Sequence, residues 1–326
     1  MGKIGFAIIF APAIAPTLAG FVIDYVSWRW LFIGMIPISL LIIALAVKYL
    51  FNVGETTAAK LDITSVLLST IGFGLVLFGF SSAGSRGWSD SLVLGAISIG
   101  LIVTVFFCLR QLQSSEPLLN LNVFKYKMYS MTTIINVAIT ILMYADLILL
   151  PMYLQTGRGA TALQAGLLLL PGAIINACLS PVTGRLYDKV GAKPLFMIGT
   201  LLIALSMWMV TDLSVTTSFI YIIIRTVILR IGLSFISMPL NTAALNTLPI
   251  ELGSHGSAVN NTVRQVAGAI GTAVVITIYT MQTTAHLPAQ FAQISGASDT
   301  YMCMFILALI AFVIVLFVPR KVKTTD

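Results

Sequence analysis

Asp146 lies in the run MTTIINVAITILMYADLILLPMYLQ, which is otherwise long and apolar enough to cross a bilayer. The spacing of the apolar runs leaves it as the one carboxylate expected deep inside such a segment. An acid in hydrocarbon is costly to keep, so its chemistry is proton exchange, recognition of a cationic group, or one half of a structural ion pair. A second apolar run carries two cations, Arg225 and Arg230. At about 100° per residue they point about 140° apart, so they should not share one partner. Arg225 falls at a depth similar to that of Asp146, which makes a pair geometrically possible, but its long stem could equally snorkel outward. Arg230 sits nearer the midplane.

Other polar positions carry less specific chemistry. Asn136, Asn176 and Asn241 can line a cavity or bond between helices, the commoner use of such groups in membranes. Met143 and Tyr144 offer soft and aromatic surface to a bulky ligand or simply pack. Arg264 and Gln265 read as anchors near one end of their segment, with Ala267 and Gly271 favouring tight packing behind them. His255 and His286 fall in expected loops on opposite sides and make no metal site. No cluster of His, Cys and carboxylates supplies a catalytic constellation, so an integral membrane enzyme is disfavoured. There is no Gly-x-x-x-x-Gly-Lys-Ser/Thr loop for a nucleotide. No cofactor or metal is implied.

The elements that must position these groups follow from composition. Hydrophobic residues make up 58% of the 326 residues and charged ones 9%, and the mean hydropathy is +1.02. The chain reads as an all-α polytopic membrane protein whose first partner is the lipid bilayer. The net charge of +7 would suggest nucleic acid for a soluble protein; here membrane topology accounts for it. Cys108, Cys178 and Cys303 all fall in apolar segments, without metal-ligand spacing and without the setting of a disulfide framework. Ten runs are long enough to span, near residues 4–24, 30–50, 63–82, 91–111, 129–154, 163–183, 194–212, 217–243, 257–280 and 300–319. No repeated strand-like alternation points to a β-barrel.

Charge orients the spans. With a cytoplasmic amino terminus, Lys3, Lys48, Lys60, Arg110, Lys125, Lys127, Arg185, Lys189, Lys193, Arg320, Lys321 and Lys323 lie inside, against Arg29, Arg86 and Arg158 outside. That bias places both termini in the cytoplasm of a multi-pass plasma-membrane protein.

The first span repeats small residues. Ala7, Ala11, Ala15 and Ala19 form one stripe, and Pro12, Pro16 and Gly20 a second beside it. Such a surface suits a bent, closely packed helix. The loop expected after the sixth span, GRLYDKVGAKP, has Gly184 and Gly191 for tight turns and Asp188 to accept from helix N-terminal amides. Arg185, Lys189 and Lys193 would hold it inside.

That loop resembles the cytoplasmic signature of the major facilitator superfamily, Gly-x-Leu-x-Asp-basic-x-Gly-basic-basic, with Ala192 at one basic position. The first span is similar to the antiporter signature in the fifth helix of drug exporters, with Ala15 where a Gly usually precedes Pro16. DYVSWRWLFIGMIPI, SSEPLLNLNVF, LLPMYLQ and NNTVRQVAGAIGTA follow the fourteen-helix drug:proton antiporter branch in order. The resemblance implies a major facilitator-type bundle that exports amphipathic, cationic drugs in exchange for protons by alternating access, as a monomer. Export of a metabolite, amino acid or peptide-like compound is the alternative on the same fold. The resemblance also implies that four preceding helices are lacking, so the chain is expected to be truncated and not to transport alone; an inert fragment is the third reading. On this mapping residues 1–55 are the last two helices of the amino-terminal bundle and 56–112 an extra pair. Residues 113–128 form a cytoplasmic connector, either an interfacial segment or an extended linker. Residues 129–319 are a six-helix carboxy-terminal bundle, and 320–326 a cytoplasmic tail.

Overall fold

The computed structural model describes residues 2–49, 62–114, 117–283 and 289–319, with side chains throughout except at 2–13, 85, 282–283 and 289–290. Lys3, Ala7, Ala11 and Pro12 are therefore seen only as helical backbone, and Lys60, His286 and the 320–326 tail lie outside the described residues.

Among the described residues ten α-helices run in sequence: α1 Gly2–Tyr25, α2 Arg29–Tyr49, α3 Ile63–Arg86, α4 Ser91–Gln113, α5 Lys127–Met152, α6 Ala162–Val190, α7 Ala192–Trp208, α8 Phe219–Leu245, α9 Ile250–Thr283 and α10 Ala289–Leu316. Hydrocarbon offers no partner to a bare amide, so each apolar run closes its hydrogen bonds on itself as a helix. Eight of the ten are long and apolar enough to cross a membrane; α7 is shorter, as is the apolar stretch Ile14–Tyr25 of α1. Short polar residues set several boundaries. Asp90 accepts from the amide of Leu92 at 2.8 Å, Ser218 from that of Ile220 at 3.3 Å, and Thr161 with Gln164 forms a capping box on α6.

One continuous apolar core, from Met128 to Val318, joins α5, α6, α7, α8, α9 and α10. Glycines bring its helices together. A Cβ on Gly199 of α7 would stand 2.8 Å from the Gly232 carbonyl of α8, and one on Gly232 the same distance from the Gly199 carbonyl. The backbones cross where neither residue has a side chain. Pro151, inside α5, removes an amide from the ladder. A π-turn at Tyr153–Gly157 follows, and its Tyr153 hydroxyl is tied to the Ser214 carbonyl at 2.7 Å.

The remaining helices attach to this core at two places. The pair α3–α4 leans on α9: the Trp88 indole donates to the Thr277 hydroxyl at 2.7 Å, and Gly84 sits against Ile276. Asp62 and Arg110 clip the pair together at 3.1 Å. The Arg110 guanidinium, then the Ser65 hydroxyl and amide, hold the Asp62 carboxyl down to about 2. This contact forms above the ordinary carboxylate value and is lost only as pH falls through about 2, so pH changes near neutrality leave it intact.

Helix α1 docks on α6. Gly20 lies against the Ala162 carbonyl and Gly166 against the Pro16 carbonyl, while the Thr17 hydroxyl donates to the Gly166 carbonyl at 3.0 Å. At the end of the crossing Asp24 accepts from the amides of Ala162 at 3.3 Å and Leu163 at 2.8 Å. A side chain of α1 thus caps the N-terminus of α6. The contact uses the stripe of Pro16 and Gly20; Ala15, on the other stripe, is exposed. Helix α2 has no buried residue.

One sequence expectation is corrected here: the signature GRLYDKVGAKP is not a loop. Residues Gly184 to Val190 continue α6, and only Gly191, at φ +81°, turns the chain. Gly184 makes no turn, and Asp188 does not cap α7, which starts at Ala192 with Gly191 as its N-cap and no side-chain cap. The polar sequence suggested a turn, yet a helix may run past the hydrocarbon wherever its side chains suit water. Of the two forms left open for the connector, Leu121–Lys125 are not extended: they form a 3-10 helix whose Val123 packs with Tyr129, Ala244, Leu248 and Val259.

Two substitutions test the α1–α6 contact. Asp24→Ala should speed hydrogen exchange at the Ala162 and Leu163 amides and leave exchange within the α7–α8 crossing unchanged. Gly20→Leu, which overpacks a backbone contact, should destabilise by roughly 1–3 kcal/mol, read as an earlier thermal unfolding in detergent.

Candidate functional site

Asp146 is 1% exposed and Arg225 is fully buried. Arg225 Nη1 donates to Asp146 Oδ1, and the Tyr301 hydroxyl donates to the same oxygen at 3.2 Å. The guanidinium also reaches α7, with Nε on the Ser206 carbonyl at 3.1 Å and Nη2 near Met207 Sδ at 3.6 Å. Its carbon stands 5.0 Å from the centre of the Tyr301 ring, a cation–π contact. One ion pair therefore joins α5, α7, α8 and α10. Arg225 does not snorkel: Tyr301, Ser206 and Met207 supply enough partners inside the core.

The pair is incomplete. Among the described residues Asp146 Oδ2 is buried without a hydrogen-bond partner, as are Arg230 Nε and Thr226 Oγ1. The two arginines do diverge along α8. The Arg230 stem and Thr226 lie over Gly172 of α6, each 3.0 Å from where a Cβ would stand. Buried polar atoms of this kind are normally matched by protein or water, so this stretch of the core retains unused hydrogen-bonding capacity.

A second polar layer lies toward the end of the bundle where α5 begins and α8 ends. Asn136 donates to Asn260 at 2.8 Å, and Asn260 donates to Asn241 at 2.8 Å. Asn241 closes onto the Ser237 carbonyl at 3.2 Å. This ladder joins α5, α9 and α8, and Asn260 is the member that the sequence did not single out. Asn176 is elsewhere: it braces α6 to α8 by accepting from Ser234 at 2.7 Å. Asn136, Met143, Asn241 and Arg264 line a cleft of about 20 Å³, enough for a water but not for a drug-sized ligand.

Because α9 begins at Ile250, Arg264 lies roughly 20 Å along the helix at 1.5 Å per residue, within it rather than at its first turn. It is exposed, and among the described residues it makes no ion pair. The early start of α9 also moves His255 out of a loop and onto the helix, where its Nδ1 accepts from the Asn120 amide at 3.3 Å. Asp299 is a further carboxylate within a helix, since α10 begins at Ala289; unlike Asp146 it is exposed. Tyr144 is half-buried with its ring over Gly268 of α9. In the signature, Gly184, Arg185, Asp188 and Lys189 ride the last turns of α6, and Lys193 caps α10 by donating to the Leu316 carbonyl at 2.6 Å. The signature is thus remote in sequence from both polar layers.

Removing one partner of the buried pair leaves the other charge unmatched. Asp146→Leu and Arg225→Met should each cost roughly 3–5 kcal/mol, while the double substitution should cost much less than their sum. Thermal unfolding of the four species in one detergent gives the cycle.

A profile of the Major Facilitator Superfamily matches residues 1–272. The uncharacterized MFS-type transporter YhcA of Bacillus subtilis is 43% identical over 92% of this chain and 56% of its own length. Lincomycin resistance protein LmrB of the same species is 40% identical over 98% of this chain and 69% of its own. A multidrug resistance protein B homolog of Mycobacterium tuberculosis is 26% identical over 86% of this chain and 53% of its own. The chain therefore spans about half to two thirds of the length of these relatives. Among solved structures, a mutant of the peptide transporter POT superposes with a TM-score of 0.59 at 13% identity, over 96% of this chain and 66% of that one. That likeness concerns the fold alone.

Proposed function

The chain belongs to the major facilitator superfamily, and we propose that it forms part of an exporter of amphipathic drugs, cationic ones among them, driven by exchange for protons. Its multi-pass membrane nature and its kinship with transporters named for drug resistance are established by the family and the relatives; neither its family nor its named relatives are enzymes. The finer reading rests on Asp146. A carboxylate sealed in the core, with one oxygen held by Arg225 and Tyr301 and the other unpartnered, has an open position for a proton. Proton addition there discharges the pair and frees Arg225 to seek another partner, which changes how α5, α7, α8 and α10 hold together. That is the coupling an alternating-access cycle requires.

In this reading α1 and α2 (within 1–55) close an amino-terminal bundle, α3 and α4 (within 56–112) are an accessory pair, and 129–319 form the carboxy-terminal bundle. Both termini are cytoplasmic and the transporter works as a monomer in the plasma membrane. The Asn136–Asn260–Asn241 ladder and Arg264 then face the cytoplasmic half of the pathway. Arg230 and Thr226 extend the proton region, Asn176 braces it, and Tyr144 with Met143 contributes soft wall.

Arg264 favours a second reading. An exposed guanidinium beside three amides suits a carboxylate better than a cation, so an amino acid, peptide-like compound or other carboxylate-bearing metabolite is the competing cargo.

Transport in membrane vesicles by a full-length version of the protein, not by this chain alone, separates the two. Asp146→Asn should lower cationic drug efflux at least roughly tenfold, equivalent to about 1.4 kcal/mol, and flatten its dependence on pH; Asp146→Glu should retain part of both. Unchanged efflux with an unchanged pH profile would sink the proton assignment. Arg264→Gln should spare cationic drugs; a selective loss of carboxylate-bearing cargo instead would establish the second reading.

A further inference from the structure

A cavity of about 300 Å³ lies where α3, α4 and the Leu121–Lys125 3-10 helix meet α5 and α9. It is separate from both polar layers. Phe73, Phe107, Leu121, Phe124 and Val266 line it, and Thr104 contributes a hydroxyl that is buried without a partner. A packed interior rarely leaves a void much larger than a water, and an apolar one does not fill with water. This volume is at the lower end of what ligand pockets offer. Its wall is hydrocarbon in character and it lies among helices long and apolar enough to span a bilayer, so the occupant at hand is an acyl chain.

The surroundings select among lipids. The cavity occupies the half of the helices nearest the end of α4 and the start of α5, the cytoplasmic side on the charge bias of the loops. Phe124 in its wall is 40% exposed and is followed by Lys125, with Lys127 opening α5. Both lysines are exposed. The other nearby basic groups are engaged: Arg110 with Asp62 and His255 with the Asn120 amide. Two available ammonium groups beside an apolar slot match a negatively charged headgroup at the inner leaflet. We propose that the cavity takes an acyl chain of an anionic phospholipid from that leaflet, with the phosphate held by Lys125 and Lys127. The lipid would wedge between the α3–α4 pair and α9. The site does not depend on what the protein exports.

Native mass spectrometry of the detergent-purified chain provides the test, with phosphatidylglycerol and phosphatidylcholine of identical chains as probes. The expected result is one retained phosphatidylglycerol, preferred several-fold over phosphatidylcholine. Lys125→Gln with Lys127→Gln should abolish the preference. Cys108→Phe, which fills the cavity, should abolish retention with little change in the unfolding midpoint; Val266→Phe is the second filling variant should that protein fail to fold. Equal retention of the two lipids, or retention indifferent to both filling variants, overturns the proposal. So does displacement of the lipid by tetraphenylphosphonium with no effect of the lysines, which would assign the cavity to a lipophilic cation.

Discussion

Hydrocarbon gives a buried charge nothing to bond with, so Arg225 must find all its partners within the protein, and in doing so it fixes four helices relative to one another. Its carboxylate comes from α5, its carbonyl and sulfur from α7, and its aromatic cover from α10. The apolar packing around it is non-directional and would tolerate small rotations of any one helix. The guanidinium is directional, and turning α8 by one residue would strand it. The glycine crossing of α7 and α8 depends on the same register, because Gly199 and Gly232 must face each other for Ser206 to lie beside Arg225.

Two polar regions therefore do different physical work. The pair around Asp146 is sealed: charge there acts at low dielectric, where adding or removing a proton alters the balance strongly. The amide ladder with Arg264 borders a cleft and includes exposed members, so its groups can exchange protein partners for water or cargo at modest cost. In the proposed exporter, separating a strongly coupled charge from an adaptable polar wall would let one fold retain its coupling while its ligand varies. This arrangement fits a family whose members share helices far more than substrates.

The order of the helices and the chance of an Asp146–Arg225 pair were legible because hydropathy is a one-dimensional property and charge in an apolar run stands out. Helix ends were less so. Hydropathy marks where side chains leave hydrocarbon, not where the backbone stops coiling. The segments GRLYDKV and ELGSHG read as polar loop yet belong to α6 and α9. That error put His255 in a loop and hid its contact with the connector. The fate of Arg225 was beyond sequence reasoning for another reason. Whether an arginine snorkels or stays depends on Tyr301, Ser206 and Met207, which come from other helices. The α6 cap was missed similarly: Thr161 and Gln164 advertise it locally, but nothing adjacent reveals that Asp24 completes it.

Helix α9 is 34 residues long, about 51 Å at 1.5 Å per residue, against a hydrocarbon thickness near 30 Å. It cannot stand upright and hide its whole length. Along it are fixed the connector through His255, α5 through Gly268 and Gly271, and the α3–α4 pair through Ile276 and Thr277. A rod longer than its bearing behaves as a lever: a few degrees of tilt move its two ends in opposite directions. A span longer than the local hydrocarbon accommodates the mismatch by tilting, kinking or thickening the bilayer around it, within what its packed neighbours allow. Bilayer thickness thus becomes one mechanical load on α9 and, through it, on every element fixed along its length.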